Sequence, residues 1–217
     1  MTLLQPTAAL TDLLLALTAF AMAWGALRHS VRTGSRRTRW WSLGYGLLGL
    51  GAFLGFLTLG FRTGLEPLFY YVSRLSVGIA VLAMLTAVVE SLVSPAAARR
   101  WRWLFLLAFV AYYGATLAGG SFLVFILYSG TALVATLTLE LYRWLGRREA
   151  GAGWMALGMA LSILAAVLQA AKLSFTLVWT FDHNGVYHLV QTVALFFLYR
   201  GVTARGGAEG DRINQPA

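Results

Sequence analysis

Seven apolar runs along the chain are long enough to cross a membrane as helices. A helical span needs about 20 mainly apolar residues. The runs occupy residues 8–27, 41–61, 69–93, 103–118, 122–141, 153–177 and 185–204. This pattern predicts an all-α fold, a polytopic bundle of seven transmembrane helices that forms a single membrane domain over residues 1–204. The polar, glycine-rich residues 205–217 are expected to form a disordered cytoplasmic tail.

The composition agrees with a membrane protein and excludes several kinds of site. Of the 217 residues, 59% are hydrophobic and 12% are charged, whereas an average soluble domain is about 25% charged. The chain contains no cysteine. Disulfide bonds, thiolate metal sites and a cysteine nucleophile are therefore excluded.

The basic residues lie in alternate connections between the runs. On one side are 14 of the 17: Arg28, Arg32, Arg36, Arg37, Arg39, Arg99, Arg100, Arg102, Arg143, Arg147, Arg148, Arg200, Arg205 and Arg212. Only Arg62, Arg74 and Lys172 lie toward the other. Because cytoplasmic loops are enriched in Lys and Arg, the N-terminus is predicted outside and the C-terminus inside, which requires an odd number of spans.

The net charge of +9 is thus interpreted as topology and as contact with anionic lipid headgroups, not as binding of nucleic acid. The localisation predicted is the inner (plasma) membrane of a bacterial-type cell, with several spans. The second run carries Gly51 and Gly55 four residues apart, a spacing that favours close packing against a neighbouring helix.

Polar side chains inside the runs collect toward the outer half, where they mark a candidate ligand site. They are Asp12, Arg74, Gln169, Lys172, Asp182, His183, Asn184, His188 and Gln191. Toward the inner end the runs carry mainly Glu90 and Glu140, which are interpreted as salt-bridge partners of the arginine-rich loops.

Three of the outer charges have competing interpretations. Arg74 can extend outward to the membrane surface, and Asp12 can complement the positive end of the first helix. Lys172 falls in a run that leads from inside to outside, so its side chain is expected to lean inward. A buried carboxylate partner is therefore expected for Lys172, either Asp182 or Asp12.

The last two runs carry polar stripes at helical spacing. Asn184, His188 and Gln191 share one stripe, at i, i+4 and i+7, while Gln169 and Lys172 share another, at i and i+3. If the stripes face each other, they form a polar pocket below the outer surface. The alternative is that Asp182 or Asn184 caps the last helix and the stripe makes hydrogen bonds between helices.

The two outer histidines raise the question of a metal. His183 and His188 are five residues apart and would point about 140° away from each other on a continuous helix. They can share a zinc ion only if His183 precedes the helix, with carboxylates such as Asp182 or Asp12 as further ligands. His29 lies on the opposite side among arginines and cannot join them.

The predicted topology and the histidine-containing last run resemble the superfamily of alkaline ceramidases and progestin/adipoQ-type receptors. The segment FDHNGVYHLVQ is also similar to the ending of bacterial seven-helix membrane proteins distantly related to them. The resemblance implies lipid amide hydrolysis at a zinc ion, with metal-bound water as the nucleophile. The chain departs from this family in having no histidine in its second run and in spacing the last pair as HxxxxH instead of HxxxH.

The leading functional hypothesis is an outer-half pocket that binds a small molecule or a lipid headgroup. The alternative is a metal-dependent lipid hydrolase embedded in the membrane. In that case His188 and His183 would be metal ligands or general bases, Asp182 a ligand or proton acceptor, and Lys172 an electrostatic stabiliser. A second alternative is a structural or partner-binding membrane subunit. A transporter would need polar residues through the inner half, which the runs lack.

Overall fold

The computed structural model describes residues 4–176 and 180–213, without the side chains of 122 and 205–213. Within these residues the chain forms seven helices and one two-stranded antiparallel sheet. The elements are α1 Pro6–Thr33, α2 Arg36–Gly60, α3 Glu66–Glu90, α4 Pro95–Leu117, α5 Phe122–Leu145, α6 Ala152–Ala170, β1 Phe175–Thr176, β2 Thr180–Phe181 and α7 His183–Ile213. The predicted all-α class is confirmed.

Five helical segments of the described chain are long and apolar enough to cross a membrane. They are α1, α2, α3, residues Leu123–Leu145 of α5, and α6. Together they indicate a multi-pass membrane protein. The other two helices are α4, whose first turns carry Arg99 and Arg100, and α7, which continues to Ile213 through most of the predicted tail. Residues 214–217 of that tail lie outside the described residues.

Local sequence signals set the helix ends. Gly34, with φ of 68°, ends α1 in the left-handed conformation that glycine adopts without strain. Ser35 then caps α2 by accepting a hydrogen bond from the amide of Thr38 at 3.3 Å. Ser94 precedes Pro95 at the start of α4, where the missing proline N–H costs no helical hydrogen bond.

The helices form a closed ring in chain order. Each helix packs against the next, and α7 returns to pack against α1. Among these neighbours, α4 and α5 pack together least extensively. The N-terminal ends of α1, α3, α5 and α7 lie at one end of the ring, which we call the outer end after the predicted orientation. The opposite end is called the inner end.

An apolar core fills the middle of the ring and the part toward the inner end. Trp41 and Tyr45 of α2, Met155 of α6 and Leu195 of α7 are almost completely buried there. A row of alanines on α1 faces them and lets the helices approach closely: Ala16, Ala19 and Ala26. The polar residues of the outer end are therefore separated from the inner end by closely packed apolar side chains.

The glycines of α2 allow the close helix contacts that the sequence predicts. A Cβ at Gly51 would lie 2.5 Å from Cγ2 of Val77 on α3, and a Cβ at Gly55 would lie 2.6 Å from Oδ2 of Asp12 on α1. Real Cβ atoms do not approach other atoms this closely. A side chain at either position would therefore require Val77 or the carboxyl group of Asp12 to move.

The sixth helix is shorter than predicted, and this changes the surroundings of Lys172. The apolar run extends over 153–177, with residue 177 outside the described residues, but α6 ends at Ala170. Lys172 adopts φ of 53°, and the amide of Leu173 bonds to the carbonyl of Leu168 at 3.1 Å. This is the usual way for a helix to end on a left-handed residue. The run continues as strand β1, because hydropathy does not distinguish a helix from an apolar strand.

Two ion-pair clusters lie at the inner end, as the sequence predicts for Glu90 and Glu140. Glu90 accepts a hydrogen bond from Trp40 Nε1 at 3.2 Å and lies 3.5 Å from Arg36 and 3.8 Å from Arg102. Its partners come from α2 and α4, so the cluster ties these helices to the end of α3.

The second cluster surrounds the buried guanidinium of Arg143. Arg143 Nη1 lies 3.9 Å from Glu140 Oε1, and Arg143 Nε donates to Glu149 Oε2 at 2.8 Å. The same guanidinium also contacts the hydroxyl of Ser91. Glu140 and Arg143 are both buried, so this cluster joins α3 to α5 inside the protein and not at its surface.

Candidate functional site

The outer half of the ring holds a buried carboxylate and imidazole in direct contact. His188 Nε2 of α7 lies 3.2 Å from Asp12 Oδ1 of α1, and both residues are buried. The other ring nitrogen, Nδ1, lies 3.3 Å from Thr11 Oγ1. Both nitrogens of the imidazole thus have side-chain partners on α1. We call these three residues the Asp12–His188 centre.

The hydrogen bonds of Thr11 constrain the protons of this centre. Thr11 Oγ1 lies 2.8 Å from the carbonyl of Thr7, an acceptor that can take its only hydroxyl proton. The hydroxyl oxygen then accepts from Nδ1–H of His188. Nε2 and Asp12 consequently share one proton in a neutral pair, or carry two charges as imidazolium and carboxylate. The proton between Nε2 and Asp12 can therefore lie on either group of the centre.

The rest of the carboxyl group of Asp12 faces the backbone of α2. Oδ2 lies where a side chain at Gly55 would otherwise stand. Asp12 is thus enclosed by three helices, α1, α2 and α7. It lies about 9 Å below the start of α1, and His188 lies about 8 Å below the start of α7, at the helical rise of about 1.5 Å per residue.

The polar stripes of α6 and α7 do face each other, but only in part. Gln169 Nε2 donates to Asn184 Oδ1 at 2.9 Å, and Gln191 Nε2 donates to Ser162 Oγ at 3.1 Å. These bonds are of the kind expected under the alternative in which the stripe joins neighbouring helices. His188 lies between Asn184 and Gln191 on α7, but its side chain contacts α1 and not α6.

Asp182 caps α7. Its Oδ1 accepts a hydrogen bond from the amide of Gly185 at 2.8 Å, so it satisfies one of the free amides at the start of the helix. His183 is the first residue of α7 and is half-buried. The capping alternative for Asp182 is confirmed, while Asn184 bonds to Gln169 instead.

The expected burial of Lys172 beside a carboxylate is wrong. Lys172 is exposed and lies beyond the end of α6. The expectation assumed that the helix continued through Lys172, which would have directed the side chain toward the core. Because the chain turns at this residue, Lys172 does not join a stripe with Gln169.

Arg74 lies on α3 and takes no part in the Asp12–His188 contact between α1 and α7. Its Cζ is 5.1 Å from the ring centroid of Tyr70 and 4.4 Å from that of Phe125. Tyr70 is one turn nearer the outer end of α3, so the side chain extends outward, as the alternative interpretation predicts.

The proposed zinc ligands are not brought together. Among the described residues, no three His, Asp or Glu side chains lie close enough to hold a metal ion. Asp182 Oδ1 is directed at the backbone of Gly185, and His188 has a side-chain partner at each nitrogen. A metal at His188 would have to displace one of these partners, so the arrangement does not fit a zinc site.

Sequence reasoning missed Thr11, Gly55 and Ser162 as neighbours of the polar residues. Thr11 adjoins Asp12, and Ser162 lies on α6 at a depth similar to that of Gln191 on α7. Matching polar residues by depth on neighbouring helices was the signal that could have found Ser162. Gly55 carries no such signal, because its role depends on how closely α2 approaches α1.

Comparison with known proteins identifies a family. Residues 7–206 match the model of a family of unknown function, DUF6962. The chain belongs to this family. The match covers Asp12, His188 and every other residue of the predicted site. No curated protein and no solved structure matches the chain.

Proposed function

We propose that this member of the DUF6962 family binds a small molecule or a lipid headgroup at the Asp12–His188 centre. The proposal includes seven membrane spans, an outer N-terminus and a location in the plasma membrane, as the distribution of arginine predicts. The single observation that carries it is the buried contact of 3.2 Å between Asp12 Oδ1 and His188 Nε2.

A purely structural role explains this contact poorly. Burying a carboxylate and an imidazole in low-dielectric surroundings is costly, and a well-packed apolar pair is often as stable. One hydrogen bond that joins α6 to α7 is made by neutral amide side chains, those of Gln169 and Asn184. Ionisable residues inside spans more often belong to sites that bind a ligand or move a proton.

The surroundings favour binding from the outer side. The ring of Tyr187 meets that of His188 edge-on, with centroids 5.2 Å apart, and Gln191 lies one turn deeper on α7. These groups offer a ligand both hydrogen bonds and an aromatic surface. Below them, the apolar core around Leu15 and Leu195 closes the inner side, which supports a pocket over a transport path.

The hydrolase alternative is not favoured by this arrangement. It needs a metal ion held by His188 and at least two further ligands, and the described residues contain no group of three His, Asp or Glu side chains that could hold one. The resemblance to alkaline ceramidases and progestin/adipoQ-type receptors therefore supports an outward-facing site in a helical bundle more than it supports their chemistry.

The test is to identify what the protein retains from the cell membrane. Protein extracted with its native lipids would be analysed by mass spectrometry for small molecules and lipids, and for zinc in parallel. We expect a stoichiometric compound that is lost from Asp12→Asn and His188→Gln but kept by Glu90→Gln, a matched change at the inner end. The proposal fails if folded variants retain the same compounds as the wild type, and stoichiometric zinc that disappears in His188→Ala would favour the hydrolase.

A further inference from the structure

A groove of about 460 Å³ lies between α4 and α5, with α3 beneath it. It is on the part of the ring away from the Asp12–His188 contact between α1 and α7. Its volume is within the range of about 300–1,000 Å³ that is typical of small-molecule sites. The groove is therefore large enough for an occupant.

Small side chains on the two facing helices create the groove. Ala108 and Ala111 of α4 face Ala132 and Ala135 of α5 across it. These residues leave space where larger side chains would have closed the contact, and α4 and α5 accordingly pack together least among neighbouring helices. Leu127 on its edge is 61% exposed, so the groove is open to the side that faces lipid in a membrane.

Two stacked tyrosines form the floor. The rings of Tyr112 and Tyr128 have centroids 4.5 Å apart and are nearly parallel. Their hydroxyls donate hydrogen bonds to backbone carbonyls of α3. Tyr112 donates to the carbonyl of Arg74 at 3.1 Å, and Tyr128 donates to the carbonyl of Gly78 at 3.0 Å. With the polar ends bound to α3, the rings present apolar carbon to the groove. Water would find few partners here, whereas a hydrocarbon chain would be well accommodated.

A positive charge lies near the outer end of this groove. The guanidinium of Arg74 is over the ring of Phe125, which adjoins the lining residue Val124. The backbone carbonyl of Arg74 is bonded to the floor residue Tyr112. A cation at membrane depth attracts an anionic headgroup whose chain extends toward the middle of the bilayer.

We infer that this groove holds an acyl chain of an anionic phospholipid from the leaflet at the outer end, with the phosphate toward Arg74. The site goes beyond the proposed function, because it lies on α3, α4 and α5 and uses neither Asp12 nor His188. Either site can therefore be tested while the other is intact.

The experiment measures lipid retained by the full-length protein in native mass spectrometry, with phosphatidylglycerol and phosphatidylcholine as probes. The variant Ala111→Trp fills the groove from its exposed side. Its control is Val110→Trp, at the neighbouring residue, which is 56% exposed and does not line the groove. We expect Ala111→Trp to lose bound phosphatidylglycerol and Val110→Trp to retain it.

The headgroup is tested separately by Arg74→Gln. One cationic side chain near anionic lipid corresponds to about fivefold in affinity, so the preference for phosphatidylglycerol over phosphatidylcholine should fall by about that factor. If Ala111→Trp does not fold, Thr131→Trp and its exposed control Val134→Trp replace that pair on α5. Equal lipid retention by the groove variant and its control would overturn the acyl-chain site, and an unchanged preference in Arg74→Gln would overturn the anionic headgroup.

Discussion

The carboxyl group of Asp12 lies against the backbone of Gly55, so that a Cβ on Gly55 would be 2.6 Å from Oδ2. The position of the Asp12 carboxyl group on α1 therefore depends on the absence of a side chain at Gly55 on α2. Any side chain at position 55 must move either the carboxyl group or the helix that carries it.

Replacing Gly55 by alanine should destabilise the protein. Inserting a methyl group into a closely packed contact costs about 1–3 kcal/mol, which a thermal melt in detergent would detect as a lower Tm. Gly114→Ala on α4 is the control, because no atom of a neighbouring helix lies within 4 Å of the place that its Cβ would occupy. Equal melting temperatures for the two variants would contradict the close contact.

The Asp12–His188 pair should show strong coupling in a double-mutant cycle. Removing one partner leaves the other buried without a counterpart, at a cost of about 3–5 kcal/mol. Asp12→Ala and His188→Ala should each lower the free energy of unfolding, and the double variant should lose little more than either. The comparison pair is Gln169→Ala with Asn184→Ala, for which a coupling of about 0.6 kcal/mol is typical in membranes. Additive losses at Asp12 and His188 would show that the two side chains do not interact.

The stability of the protein should not depend on the charge of Lys172, but it should depend on how easily residue 172 adopts a left-handed backbone conformation. Because it is exposed and has φ of 53°, Lys172→Met should leave the unfolding free energy nearly unchanged. Lys172→Gly should raise it by up to about 1 kcal/mol, since glycine adopts left-handed angles without strain. Marked destabilisation by Lys172→Met would instead indicate a buried ion pair.

The inner cluster around Arg143 should be essential for stability. Arg143→Met removes the buried guanidinium that lies 3.9 Å from Glu140 and donates to Glu149, and breaking a buried pair costs about 3–5 kcal/mol. Arg147→Met provides the control, because its side chain is 51% exposed and exposed ion pairs contribute about 0–1 kcal/mol. Similar unfolding midpoints for the two variants would show that Arg143 is solvated.

The proposed orientation can be tested with reporter fusions. A reporter active only outside the cytoplasm should work when fused after Gly120, in the turn between α4 and α5, and be silent after Gly34, between α1 and α2. The reason is the excess of arginine on the side of Gly34. The reverse pattern of activity would invert the topology and place the Asp12–His188 centre toward the cytoplasm.

Much of the fold follows from local patterns in the sequence. Long apolar runs predict helices because a backbone in hydrocarbon must satisfy its own hydrogen bonds. The salt bridges of Glu90 follow from an acid next to arginine-rich segments, whereas the burial of Glu140 with Arg143 does not. The sixth run shows the limit of this reasoning. Its residues beyond Ala170 stay apolar while the backbone turns at Lys172, and hydropathy does not record that change.

The sequence by itself determined the class of protein, the number of helices and the half of the bundle in which polar residues collect. Only the tertiary structure decided which of those residues meet: Asp12 pairs with His188, Asp182 caps α7, and Lys172 is exposed. The physical reason is that hydropathy gives the depth of a residue in the membrane, and the helical period gives the face of its own helix on which it lies. Contacts between helices depend on how each is rotated and how closely it approaches its neighbour, and here the packing of α2 at Gly55 helps to set both.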